Sequence, residues 1–208
     1  MTGHLGARRN LDVALVTDDF RLYHQLAPYL EANHVRVLGL KPGEEAPASV
    51  RVLLGGPEGD PRTVALREDR EATLLALYAA LDDRPTARGG YQRVVFGVDP
   101  GRAIGLAVLA DGACLHVAEA RSPAEAVDRI AAWSTGLSAK RWEVHVGDGD
   151  PSTGRGILPA VKARLPQARV LLVPEEATSP FRPVTASRHT DAAIHIALRE
   201  PRTEPRAD

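Results

Sequence analysis

The sequence predicts an α/β protein built as two domains. Two observations carry this. Short β-branched apolar runs bounded by turn residues alternate with helical patterns along most of the 208 residues, which is the signature of strands and helices sharing a core. A polar stretch at residues 82–90 (DDRPTARGG), with Pro and two Gly, interrupts that alternation and reads as a linker. Residues 10–82 then form a small α/β domain. Residues 91–200 form a second domain whose runs order as β-β-β-α-β-α-β-α, a mixed five-stranded sheet with helices on its faces.

In the first domain, residues 1–10 read as a frayed basic terminus, and residues 11–16 (LDVALV) as a buried strand. Asp18 and Asp19 cap a helix over residues 20–33, with Leu22, Leu26, Tyr29 and Leu30 at helical spacing. Residues 35–40 (VRVLGL) and 50–54 (VRVLL) are two further strands, and residues 55–61 a loop. Residues 68–81 are a helix with Leu74, Leu75, Leu77, Tyr78 and Leu81 as its apolar set. Two acids after a first strand resemble response-regulator receivers. The place after the third strand, where an acceptor aspartate would stand, holds Gly55-Gly56, and on that ground the resemblance is set aside. The expected role of this domain is to orient substrate or to mediate homodimerisation.

The second domain is organised around residues 94–109, VVFGVDPGRAIGLAVL. An apolar run ends in Asp99, a Pro-Gly turn reverses the chain, and residues 104–109 pair back on it. Gly97, Gly101 and Gly105 leave room for something to approach the backbone beside that carboxylate. Asp111-Gly112 is a tight turn into a third strand, residues 113–120. Ser122, Pro123 and Glu125 form a helix start with a capping box, and the helix runs to about residue 137 with Val127, Ile130, Ala131 and Trp133 inward. Residues 142–146 (WEVHV) are a fourth strand ending in the acidic, Gly-rich turn GDGDPSTG; His145 between two valines reads as lying on the opposite, structural face. A helix over residues 156–165, a strand over 169–173, an irregular loop over 177–186 and a helix capped by Ser187 and running to 199 complete the domain.

Bulk composition narrows the partners. With 44% apolar, 25% charged and only 4% aromatic residues, the core is aliphatic and the chain globular. Net charge is -1; the first 90 residues carry 11 Lys and Arg against 13 Asp and Glu, and the rest 15 against 14. Any polyanion site is therefore a local patch rather than a basic face. One cysteine, Cys114, excludes an internal disulfide and a cysteine-based zinc site and fits a reducing compartment. No apolar run reaches the length that spans a bilayer, so no membrane partner is expected, and the cytoplasm is the expected compartment.

Four motifs over residues 93–198 resemble the RuvC and YqgF branch of the ribonuclease H-like nucleases. GVDPGRAIGLAV is similar to its first-strand signature, VGDGDPSTGRG to the turn after its fourth strand, VPEEATSP to a motif after its fifth strand, and RHTDAAIHIAL to its C-terminal helix. The resemblance implies a ribonuclease H-like fold and a divalent-metal-dependent nuclease acting on structured DNA or RNA. Asp99 would bridge two Mg²⁺ or Mn²⁺ ions, with Asp148 holding one and Asp191 the other; Glu175 or Glu176 would contribute or lie one step away. Carboxylates suit these hard cations, which activate water and stabilise the leaving oxygen. The chain departs from the pattern. Asp148 and Asp150 stand where RuvC resolvases carry glutamate, Arg188 stands where they carry a second metal residue, and Ala177 replaces the arginine of the YqgF motif. His189 would be an imidazole ligand or protonate the leaving group.

Arg102, Arg155, Arg182 and Arg188 fall on the loops around this site and would hold backbone phosphates. Two other readings stay open. One is a ribonuclease H-like module that binds nucleic acid or a partner without catalysis. The other is an actin-like phosphotransferase, whose first hairpin also reads Asp-x-Gly, but the N-terminal domain lacks the matching hairpin such a protein needs.

Overall fold

A computed structural model describes residues 12–82, 90–149, 151–174, 185 and 187–199, with backbone alone at 151–153 and 155. The chain divides into two compact units, Met1–Asp83 and Arg84–Asp208.

The N-terminal unit carries β1 (Val13–Val16), α1 (Phe20–Ala32), β2 (Val37–Leu40), β3 (Val52–Leu54), β4 (Thr63–Val64) and α2 (Arg70–Leu81). Its four strands are all parallel, in the order β2-β1-β3-β4. Strand β4 lies beyond the loop expected at 55–61; at two residues it is too short to show a periodic pattern. Asp19 and Asp69 cap the two helices through backbone N–H groups of Arg21, Leu22 and Ala72. Both helices pack on one face of the sheet: Leu26, Ala27 and Leu30 of α1 and Leu74 and Leu77 of α2 meet Val13, Leu15, Val52 and Leu54. Ala14 and Leu53, pointing the other way, cluster with Val50 and are packed by Leu38, Leu40 and Ala46. A parallel sheet with two apolar faces explains why these strands read as continuous hydrophobic runs.

The C-terminal unit carries β5 (Tyr91–Asp99), β6 (Ile104–Ala110), β7 (Ala113–Ala120), α3 (Pro123–Thr135), β8 (Ala139–Gly147), α4 (Pro151–Arg164), β9 (Ala168–Val173) and α5 (Arg188–Leu198). The sheet runs β7-β6-β5-β8-β9. β5, β6 and β7 form an antiparallel meander, while β8 and β9 join in parallel after helical crossovers. The mixed five-stranded sheet matches the order expected from the sequence. Strands β5 and β8 each begin three residues earlier than expected, and α4 begins at Pro151 rather than at residue 156. Gly154 and Gly156 lower helix propensity there, but a proline is well suited to a first helical turn.

The two faces of this sheet differ in kind. Val94, Phe96, Val98, Leu106, Val108, Val144 and Val146 are all buried on one side. They share it with Trp133 of α3 and with Trp142, whose ring stacks on Phe96 at 6.0 Å. His116, which the sequence leaves without a visible partner, sets its ring edge-to-face against Trp133. The other side holds Val95, Gly97, Asp99, Ala107, Leu109 and Val117, and α5 lies across it through Ala193, Ile194 and Ala197. His145 is on this second side: it pairs with Gly97 and is fully buried. That corrects the expectation of an opposite, structural face. Val144 and Val146 occupy the α3 side, so strict alternation turns His145 toward α5, the side that also carries Asp99.

Candidate functional site

Asp99 ends the central strand, and its rung runs straight across the meander: Asp99 faces Gly105, and Gly105 faces Glu119. The first turn of α5 crosses this rung at Gly105. A Cβ built on Gly105 would overlap the carbonyl group of His189, and one on Gly97 would overlap the carbonyl oxygen of Ala193. The two glycines therefore let the helix backbone lie directly on the sheet backbone. Ser187 caps the helix, accepting from the His189 N–H at 3.2 Å and donating its hydroxyl proton to Glu119 Oε1.

This seat brings His189 Nδ1 to 3.2 Å from Asp99 Oδ2. Arg188 Nε lies 3.5 Å from the other ring nitrogen, Nε2. A guanidinium only donates, so Nε2 is the accepting nitrogen and Nδ1–H points at the carboxylate. The pair is thus a carboxylate holding an imidazole in one tautomer, with the Nε2 lone pair turned toward Arg188. Burial pushes the Asp99 carboxyl above its ordinary range, against the opposing pull of the His189 hydrogen bond and the Arg188 charge. The side chains of Asp99 and His189 keep 13% and 27% of their surface in contact with solvent, so the pair is reachable.

The other expected residues fall as follows. Asp191 sits in the first turn of α5, and its Oδ1 accepts from the Thr185 backbone N–H at 2.8 Å with the Thr185 hydroxyl at the same distance. Two residues apart on a helix point to different sides, and here His189 turns to Asp99 while Asp191 turns to Thr185. Asp148 follows β8, is exposed, and donates its N–H to the Val173 carbonyl at 3.1 Å. The parallel pairing of Val98 with Val146 puts it just past the rung of Asp99. Arg102 is exposed in the β5–β6 turn. Asp150, Glu175, Glu176 and Arg182 lie outside the described residues, as does the side chain of Arg155. Among the described residues, no group of three or more His, Cys, Asp or Glu side chains is assembled to hold a metal ion.

A second polar chain on the same face was not foreseen. Arg93 pairs with Glu143 at 2.6 Å, Glu143 with His145 Nε2 at 3.0 Å, and His145 Nδ1 reaches the Ile196 carbonyl of α5 at 3.2 Å. Burial pushes Glu143 up, but the hydrogen bonds from Arg93 and His145 outweigh it and leave the carboxyl below its ordinary range. The signal was present in WEVHV: with valines on one face, Glu143 and His145 must share the other.

In the N-terminal unit, Asp19 is spent on capping α1 and Asp18 is exposed. The chain turns after β3 at Gly55, whose φ of +70° is left-handed and whose Cβ, if present, would stand 2.9 Å from the Val16 carbonyl oxygen. Residues 12–80 match the family model of response regulator receiver-like domains. This overturns two expectations. The receiver resemblance set aside for want of an acceptor aspartate is the one that a family model supports. The family found is not a nuclease family, so the assignment of residues 93–198 to the RuvC and YqgF branch is withdrawn. A search of curated proteins finds no match to the chain. No described helix is long and apolar enough to cross a membrane.

Proposed function

We propose that the C-terminal unit hydrolyses phosphodiester bonds in DNA or RNA, and that Asp99 and His189 carry the proton transfer. The observation behind this reading is the 3.2 Å Asp99–His189 pair at the end of the central strand. Strand order β7-β6-β5-β8-β9 with a carboxylate at the end of β5 also supports a ribonuclease H-like arrangement. His189 Nε2 takes a proton from water as its oxygen attacks phosphorus. The P–O bond to the leaving oxygen breaks, and the imidazolium returns the proton to that oxygen. Asp99 fixes the tautomer and stabilises the charged ring meanwhile, a role that contributes about 10²–10⁴-fold in comparable acid–base steps. Asp99 Oδ1 is a hard oxygen donor for Mg²⁺ or Mn²⁺, which when bound would add Lewis-acid stabilisation of the phosphate oxygens. Asp148, just past the rung of Asp99, is the further acid that would join it, whereas Asp191 is turned to Thr185. The N-terminal unit, similar to receiver-like domains but with Gly55-Gly56 directly after β3, would orient substrate or pair two copies of the chain.

The test is cleavage of labelled duplex, single strand, hybrid, fork and four-way junction, with Mg²⁺ or Mn²⁺, by the full chain and by Asp99→Asn and His189→Ala. Metal-dependent cutting reduced at least about 100-fold in both variants supports the reading. Failure of the full chain to cut any substrate, with metal leaving its melting temperature unchanged, removes it. A second reading, a non-catalytic nucleic-acid-binding module, draws on the Asp191 carboxylate being tied to Thr185. Binding without cutting would favour it.

A further inference from the structure

We propose that a cleft beside the Asp99 rung, lined by Arg102, Arg121 and Arg129, holds a phosphate of the nucleic-acid strand next to the one being cut. The proposal rests on the reading of this unit as acting on nucleic acid, and it names where the strand runs. The cleft has a volume of about 470 Å³ and is lined by Arg102 and Ala103 of the β5–β6 turn, Glu119, Ala120 and Arg121 at the end of β7, and Glu125 and Arg129 of α3.

Three guanidiniums and two carboxylates meet there, and both carboxylates are already occupied. Glu125 accepts from the Arg121 backbone N–H at 2.9 Å and pairs with Arg129 at 3.2 Å. Glu119 accepts from Ser187. Within the cleft this leaves the guanidiniums of Arg102 and Arg121 outside any side-chain hydrogen bond or ion pair among the described residues, with Arg121 close enough for its charge to act on Glu125; both residues are exposed. Two forked donors around an open polar cavity suit a phosphodiester, whose oxygens accept in the matching geometry. The chain as a whole is not basic, so this is the local patch that a polyanion would need.

Position ties the cleft to the proton-transfer pair. Glu119 lies on the rung of Asp99, two strands away, which is about 10 Å across the sheet. Its partner Ser187 caps the helix that carries His189. A strand that lays one phosphate between Arg102 and Arg121 therefore has its neighbouring backbone near Asp99.

The test measures binding of a labelled single-stranded oligodeoxynucleotide and of the matching oligoribonucleotide over a salt series. The protein is the full chain in an Asp99→Asn background, with and without Arg102→Ala and Arg121→Ala. A control, Lys162→Ala with Arg164→Ala, removes the same charge from α4. Each cleft residue should lower the slope of log affinity against log salt by about 1, and the pair should weaken binding roughly 10- to 100-fold at 0.1 M salt. The control should change little. The DNA and RNA arms tell which backbone is preferred. Unchanged slopes in the cleft variants, an equal fall in the control, or no binding of either oligonucleotide overturns the proposal. Cutting by the full chain with unchanged slopes removes the cleft alone and leaves the hydrolase; slope loss without any cutting leaves the cleft and removes the hydrolase.

Discussion

The two units treat the interiors of their sheets in opposite ways. The N-terminal sheet is apolar on both faces and carries its acids outside: Asp18 is exposed and Asp19 caps a helix. The C-terminal sheet has one apolar face and one that carries a chain of polar groups, Arg93 and Glu143 half-buried and His145 fully buried and bonded to α5. Yet the family match falls on the N-terminal unit, where β3 is followed directly by Gly55-Gly56. Buried polar groups are the costlier feature, since each must find a partner. Their presence on one sheet only marks where this chain has kept something beyond packing.

The comparison can be broken or sharpened by substitution, and both tryptophans, Trp133 and Trp142, lie in the C-terminal unit, so their fluorescence during urea unfolding reports on it. The largest effect is expected from Gly105→Ala. Its methyl would overlap the carbonyl group of His189, and lifting the helix should cost about 3 kcal/mol or more. A loss under about 1 kcal/mol would show that α5 does not lie on bare backbone. Next is His145→Leu, which leaves the Ile196 carbonyl with only the Arg199 N–H and Glu143 with one partner fewer; about 1–3 kcal/mol is expected from the same transition.

Gly55→Asp comes third. A side chain there faces a left-handed φ and the Val16 carbonyl, so circular dichroism should show a loss of about 1–3 kcal/mol. A gain in stability, with uptake of a phosphoryl group from a small acyl phosphate, would erase the contrast between the units. The smallest effects are pH signatures of two acids on one face. Glu143 titrates below its ordinary range in the folded state, so its contribution is present above the unfolded pKa and fades as pH falls through the folded one. Glu143→Gln should therefore be destabilised near neutrality and converge on the parent in acid. Asp99 is shifted the other way, so its ionised form is the one that burial disfavours. Asp99→Asn should melt slightly higher at pH 7, and this gain should vanish as pH falls and Asp99 takes up its proton. Melting curves over a pH series check both signs.

Much of this was legible in the sequence because it depends on periodicity and turns. The Asp99 hairpin, the Asp111-Gly112 turn, the Ser122 and Ser187 caps and the five-strand order follow from spacing alone. What was not legible depends on register. Which face His145 occupies is decided by the pairing of Val144 and Val146 against the α3 side. The partners of Asp99 and Asp191 are decided by where α5 lands. The sequence favours Asp191 over His189, and the seat on Gly105 reverses that by bringing His189 to Asp99. The receiver-like match was missed by weighing one residue, Gly55, above an entire β-α-β pattern.

The bare backbone beneath α5 at Gly97 and Gly105 also sets how the site can move. Where helices rest on leucines and valines, rotamer changes give a cushion, and a pair of residues can drift apart without disturbing the rest. Here carbonyl meets sheet backbone at Gly97 and Gly105, and there is nothing between them to compress or rearrange. Short of a rotation of the His189 side chain, Asp99 and His189 separate when the whole helix lifts or slides, which would expose the amides of β6 and the buried His145 in the same event. Opening of the pair and loss of hydrogen-exchange protection across that strand should then share one rate, as parts of a single cooperative unit.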